Sequence, residues 1–219
     1  MTQSSTQDAS NCKPYFKING RYWDNPKYGR LPIRKRCEKL RANLAKVIGV
    51  LYVQHKSHLR KLPKALREEF LKLKDWQGIF LFGSVGCGKT FAMSAFGRYF
   101  ALKGKKVIFT TYSDLCLEIR KIYTCSDSEL NVIQKYRDAD KLFIDDLGTA
   151  VSVGNQESDF AVRVLYDVVD WRIKNLKATF FTSNKSPEEI ASSFDERIAS
   201  RLHQACKIIP VAGKDKRKS

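Results

Sequence analysis

The stretch Leu81-Phe-Gly-Ser-Val-Gly-Cys-Gly-Lys-Thr90 follows directly on the apolar residues Ile79 and Phe80. A chain that has been building core stops and places three glycines, a lysine and a threonine within eight residues. Gly83 to Thr90 satisfies G-x-x-x-x-G-K-[ST]. Glycines let the backbone turn so that its N–H groups converge on oxygen atoms. The helix that follows adds its positive N-terminal end. The pattern predicts a phosphate loop made by Gly83, Ser84, Val85, Gly86, Cys87, Gly88, Lys89 and Thr90, with Phe91 as the next residue of the helix. Lys89 is expected at the β- and γ-phosphates of a bound triphosphate and Thr90 on Mg²⁺. Cys87 is open to two readings, a thiol activated by the helix end or a small residue that fits.

Downstream, short apolar runs alternate with helical patterns. The runs are 79–82, 107–110, 142–145, 179–182 and 207–211; the helical patterns are 89–102, 113–123, 157–175 and about 187–204. Strands that are apolar without alternation are buried on both faces. Their alternation with helices predicts an α/β fold with a five-stranded parallel sheet. Leu142-Phe-Ile-Asp-Asp146 then puts two carboxylates at a strand's carboxyl end, where such sheets bind ligands. Asp145 suits Mg²⁺ and Asp146 suits the attacking water, with helix capping as the bland alternative. Thr182-Ser-Asn184 ends another strand. Asn184 either orients water beside the γ-phosphate or caps the helix that begins Ser-Pro-Glu-Glu. Arg197 and Arg201 lie four apart on one helix face. They either pair locally with Asp195 or Glu196, or reach a neighbouring subunit's nucleotide.

The first third differs. Residues 1–75 hold 18 Lys or Arg against 6 Asp or Glu, whereas residues 76–219 hold 22 against 17. That imbalance suggests nucleic acid or an acidic partner, or a solvated basic face. Residues 12–36 interleave Tyr15, Phe16, Tyr22, Trp23 and Tyr28 with cations, as a base-stacking segment would, or as an arm laid on protein would. Helical spacing follows from Glu38 to Tyr52. A second amphipathic segment comes after Pro63, with Leu66, Phe70 and Leu71 expected inward. The organisation read here is a partly flexible basic aromatic arm over 1–33, a small helical segment over 34–75 and an ATPase domain over 76–219.

No run approaches 18 apolar residues, and the polar start lacks the apolar stretch of a secretory signal. Six cysteines without a C-x-x-C pair read as reduced thiols of a cytoplasmic protein. A zinc site on Cys12 and Cys37 lacks the usual paired spacing.

Taken together, "GSVGCGKT", "TTYSDLCLEIRKIY", "KLFIDDLGTA", "WRIKNLKATFFTSNKSPEEI", "DERIASRL" and "VAGKDKR" resemble the AAA+ P-loop ATPases. Among these they resemble the DnaC/DnaI group of helicase loaders, with the IstB transposition ATPases close beside it. The resemblance spans about residues 76–217. It implies that Asn184 is the first sensor, that Arg201, or else Arg197, is a finger acting in trans, and that Asp146 stands where a catalytic Glu is usual, giving slow hydrolysis. About eight residues, including Arg217, follow the last strand. This implies no C-terminal lid and a nucleotide site completed by a second subunit. The partners it implies are further copies of the chain, a replicative DNA helicase and single-stranded DNA; the alternatives are a transposase as partner, or a nucleotide-gated scaffold with little turnover.

Overall fold

The computed structural model describes residues 15–18, 21–24, 57–121, 129–148, 159–213 and 215. The expected helix over Glu38–Tyr52, and Cys12, Cys37 and Cys125, lie outside them. Within the expected N-terminal arm, β1 (Tyr15–Ile18) and β2 (Arg21–Asp24) pair antiparallel, with Tyr15 opposite Asp24 and Ile18 opposite Arg21.

The rest is a parallel sheet between helices. A short 3-10 turn (Leu59–Lys61) leads into α1 (Lys64–Leu71). Then come β3 (Gly78–Phe82), α2 (Lys89–Leu102), β4 (Val107–Thr111), α3 (Tyr112–Lys121), α4 (Glu129–Asp138) and β5 (Lys141–Asp145). The chain continues through α5 (Asp159–Lys174), β6 (Thr179–Ser183), α6 (Pro187–Ser193), α7 (Glu196–Ala205) and β7 (Cys206–Pro210). The strand order is β4-β5-β6-β3-β7, all parallel. The expected five-stranded α/β sheet is therefore present.

Alternation along the strands divides the core into two layers. Phe80, Leu142, Ile144 and Phe181 face α3, α4, α5 and α7, meeting Leu115, Ile133, Leu165 and Leu202. Their neighbours Ile79, Leu81, Phe143 and Phe180 face α2 and α1. On that side Phe143 stacks on Phe180 at 4.5 Å, and Phe70 of α1 stacks on Phe96 of α2 at 4.2 Å between centroids. α1 is thus part of this layer, ahead of Trp76. Leu66 and Phe70 are buried as expected, but Leu71 is 56% exposed. Phe70 fills the space against α2, and one position further the helix faces water.

The pattern expected over 187–204 is two helices. Asp195 has extended backbone and caps α7, accepting a hydrogen bond from the Ile198 N–H at 3.0 Å. Helix α4, absent from the expected elements, packs Ile133 and Tyr136 into the first layer. Among the described residues no helix is long and apolar enough to cross a membrane.

Candidate nucleotide site

β3 delivers the loop to the carboxyl edge of the sheet. Gly83, Gly86 and Gly88 take φ of 148°, 78° and 102°, backbone that side chains disfavour. Space also demands glycine at two of them. A Cβ on Gly83 would lie 2.3 Å from the Val211 carbonyl oxygen, and one on Gly86 would lie 1.9 Å from Asp215 Oδ1. Gly88 is the N-cap of α2, and no side chain caps that end. Its first-turn N–H groups are left for an anion.

Lys89 opens α2 and is only 5% exposed. Its ammonium donates to the carbonyls of Gly83 (2.8 Å) and Ser84 (2.9 Å) and to Asn184 Oδ1 (2.9 Å). The loop and the end of β6, 95 residues apart in sequence, therefore meet on one cation. The cap of α6 is Ser186, in a reciprocal capping box with Glu189. Asn184 is consequently not the cap, and the structure joins it to the loop lysine. Cys87 is buried, with the Lys89 ammonium 3.9 Å from its sulfur. Val85 is exposed, and Phe91 packs against the α1/α2 layer.

Beside the loop, Thr90 Oγ1 donates to Asp145 Oδ1 at 3.2 Å. A hydroxyl and a carboxylate meeting at a strand end are oxygen ligands of the kind Mg²⁺ takes, so the residues fit the expected ion. Asp145 is 4% exposed. Burial, and secondarily the neighbouring Asp146, push its carboxyl above the usual carboxylate range, against the hydroxyls of Thr182 and Thr90. Asp146 takes φ 56°, which turns the chain off the strand. The described residues that follow, Leu147 and Gly148, form a turn and not a helix that the pair could cap. Among the described residues no group of three or more His, Cys, Asp or Glu is arranged to hold a metal.

Two participants escaped the sequence reading. The Thr182 hydroxyl donates to Asp145 and accepts the Asp146 N–H at 2.9 Å, so one side chain holds both acids. β5–β6 register sets this contact: Ile144 pairs with Phe181, and the next residue on each strand meets. The other is the segment after β7. Val211 donates its N–H to the Phe82 carbonyl at 2.7 Å, Gly213 lies beside Cys87, and Asp215 lies on Gly86.

Arg197 and Arg201 stand apart from this loop, on the face of α7 toward α5. Arg201 binds Asp170 Oδ1 at 2.7 Å and the Tyr166 hydroxyl at 3.0 Å. Arg197 binds Asp195 at 2.9 Å, the local pairing considered from the sequence. Both guanidinium groups lie over the Tyr166 ring, at 5.3 and 5.5 Å. Their side chains remain 59% and 27% exposed and line a cavity of about 300 Å³.

Several known proteins share this architecture. A replicative helicase loader DnaC of Buchnera aphidicola subsp. Baizongia pistaciae is 26% identical over 154 residues, covering 69% of this chain and 60% of that one. The chain thus spans about three fifths of the length of that relative. A solved DnaC helicase loader superposes with a TM-score of 0.61 at 20% identity, over 72% of this chain and 97% of the other. A replication initiator DnaA, bound to AMPPCP and single-stranded DNA, superposes with a TM-score of 0.58 at 20% identity, over 74% and 51%. At such identities the likeness is one of fold. The bacterial DnaA ATPase domain matches residues 64–208, and the chain belongs to that family of AAA+ ATPase domains.

Proposed function

We propose that this protein loads a replicative DNA helicase, using ATP bound at the loop over Gly83–Thr90 and hydrolysed between adjoining copies of the chain. The observation that carries the reading is the convergence of Lys89, Asn184, Thr90 and Asp145 at one strand edge.

In this reading the amides from Ser84 to Phe91 grip the phosphates. Lys89 exchanges a carbonyl partner for the β- and γ-phosphate oxygens, and Asn184 keeps it aimed. Thr90 and Asp145 hold Mg²⁺, which when bound neutralises phosphate charge. Asp146, turned off the strand at φ 56°, accepts a proton from the attacking water, and Asn184 orients that water. Aspartate is one methylene shorter than glutamate, so turnover is slow without a partner. Arg201 of an adjoining copy, with Arg197 beside it, supplies the cation that completes the site. In relatives of this fold class an arginine in that role is worth about 10³–10⁵ in rate.

The loader role draws on the DnaC relative and on the fold shared with the DnaC helicase loader. Contact with single strands draws on the fold shared with the DNA-bound initiator and on the net charge of +17. The test is capture of purified partners on the immobilised chain with and without ATP. Retention of a hexameric replicative helicase only with ATP is expected. Retention of a transposase instead would replace this reading with the IstB-like one, and retention of neither would overturn it.

A further inference from the structure

In residues 76–219 the charges look nearly balanced, with 22 Lys or Arg against 17 Asp or Glu. The fold separates them. All five strands run parallel, so their amino ends share the edge opposite the nucleotide loop. Residues 103–106, 137–141, 174–177 and 207 lead into or begin strands there. They hold eight of the cations and two of the acids. The rest of the region therefore has 14 cations against 15 acids, and its whole positive excess lies on this edge. Lys72 and Lys74, leading into β3, add two cations, while Asp75 pairs with Lys141 and Glu69 with Lys207, so the edge keeps a positive excess.

Contacts tie these segments together. Lys141 binds Asp75 at 2.7 Å, Lys177 donates to the Asp138 carbonyl at 3.2 Å, and the Lys106 N–H donates to Asp140 at 2.7 Å. The carboxyl ends of α2, α4 and α5 point here, and a cation at each complements the helix dipole. That role accounts for Lys103, Arg137 and Lys174. It leaves Lys74, Lys105, Lys106 and Lys177, which lie beyond the helix ends.

Aromatic rings lie among the cations. Lys103 Nζ stands 4.4 Å from the Tyr99 ring, Lys74 5.7 Å from Trp76 and Lys177 5.8 Å from Trp171. Lys74, Lys103 and Lys105 line a cavity of about 240 Å³ with Tyr99 and Phe100. Cations that can follow a phosphate backbone, beside ring faces and a recess of base-accepting size, are the chemistry of single-strand binding.

We infer that this edge, away from the nucleotide loop, is a binding surface for single-stranded DNA. It rests on the proposal that the protein contacts single strands, and it locates that contact within the ATPase body. The strand backbone runs over Lys103, Lys105 and Lys106, and bases enter the recess beside Tyr99.

The test is fluorescence anisotropy with a labelled oligothymidylate of about 20 nucleotides on the full chain, titrated across salt. Lys103→Gln/Lys105→Gln/Lys106→Gln is compared with wild type and with Lys64→Gln, whose side chain is exposed at the start of α1. Each phosphate contact contributes about 0.7 to the salt slope, so losing three lowers it by about 2. Between about 50 and 200 mM salt the wild type then loses about twenty-fold more affinity than the triple variant. Lys64→Gln behaves as wild type, ATP binding is unchanged in both variants, and the triple variant loses no more melting temperature than one helix-end cation accounts for. An unaltered slope and affinity in the triple variant would overturn this inference and leave the single-strand reading standing. Wild-type protein that does not bind the oligonucleotide would overturn both. A duplex of equal length, bound as tightly and weakened equally, would overturn the single-strand assignment.

Discussion

Replacing Thr182 with valine keeps the shape of a fully buried side chain and removes its oxygen. That oxygen donates to the Asp145 carboxylate and accepts the Asp146 N–H at 2.9 Å. A hydrogen bond to a charged group contributes about 1.5–3 kcal/mol, and a buried donor left without an acceptor costs about 1–3 kcal/mol. The expected destabilisation of Thr182→Val is therefore about 3–5 kcal/mol, a large value for one substitution. With a typical urea dependence it lowers the midpoint by about 2 M. The change also has a functional signature. Thr182 is the strongest force pulling the Asp145 carboxyl down against burial. Without it the carboxyl titrates higher, and the acid limb of the ATPase profile moves to higher pH. Urea denaturation and a pH series of phosphate release read the two effects. A loss below about 1 kcal/mol with an unmoved acid limb would refute the reasoning.

Asp145→Asn separates stability from function. The Asp145 carboxyl titrates above its unfolded value, so its contribution to stability is present while it is protonated and is lost as pH rises through the folded pKa. The asparagine variant is therefore expected to melt above wild type at neutral pH, with the gap closing toward acid, while ATPase activity disappears; melting curves across pH check this. Arg172 is fully buried and donates to the carbonyls of Tyr136, Ala139 and Ala178 and to Thr179 Oγ1 at 2.7–2.9 Å. Burial pulls its pKa down to about 10, so it stays charged at neutral pH. Arg172→Met strips these partners, and a loss of about 4 kcal/mol or more is expected in urea denaturation. Gly86→Ala places a Cβ at φ 78° and 1.9 Å from Asp215 Oδ1. The left-handed backbone alone costs about 1–2 kcal/mol. Titration with a fluorescent ATP analogue should show binding weakened about tenfold or more, with partial recovery in Gly86→Ala/Asp215→Ala.

How much of this was legible in the sequence depended on the range of the interactions. The bounds of α2 follow from the glycines before Lys89 and the Lys103-Gly104 stop after Leu102, all local signals. β3, β5 and β6 are read readily because their residues are buried on both faces. Helix α4 was not read. Its apolar residues Leu130, Val132, Ile133 and Tyr136 span only seven positions, and the rest of the ten-residue segment is polar. The division at Asp195 carried a capping signal, but the pattern on either side concealed it. Lys89, Thr90, Asp145 and Asn184 come together as their motifs suggest. The roles of Thr182 and Asp215 depend on strand register and on the path of the chain after β7, which local spacing does not encode. The basic edge was hidden for a related reason: near balance along the chain says nothing about segregation in space.

The central claim is that one copy's loop holds ATP while another copy's α7 completes the site. Phosphate release from mixtures of Lys89→Ala and Arg201→Ala chains tests it most directly. Each variant alone is expected to be inactive. An equal mixture should recover about a quarter of wild-type activity, the chance at random that an intact loop meets an intact arginine. Mixtures that assemble but remain inactive at every ratio would contradict the account.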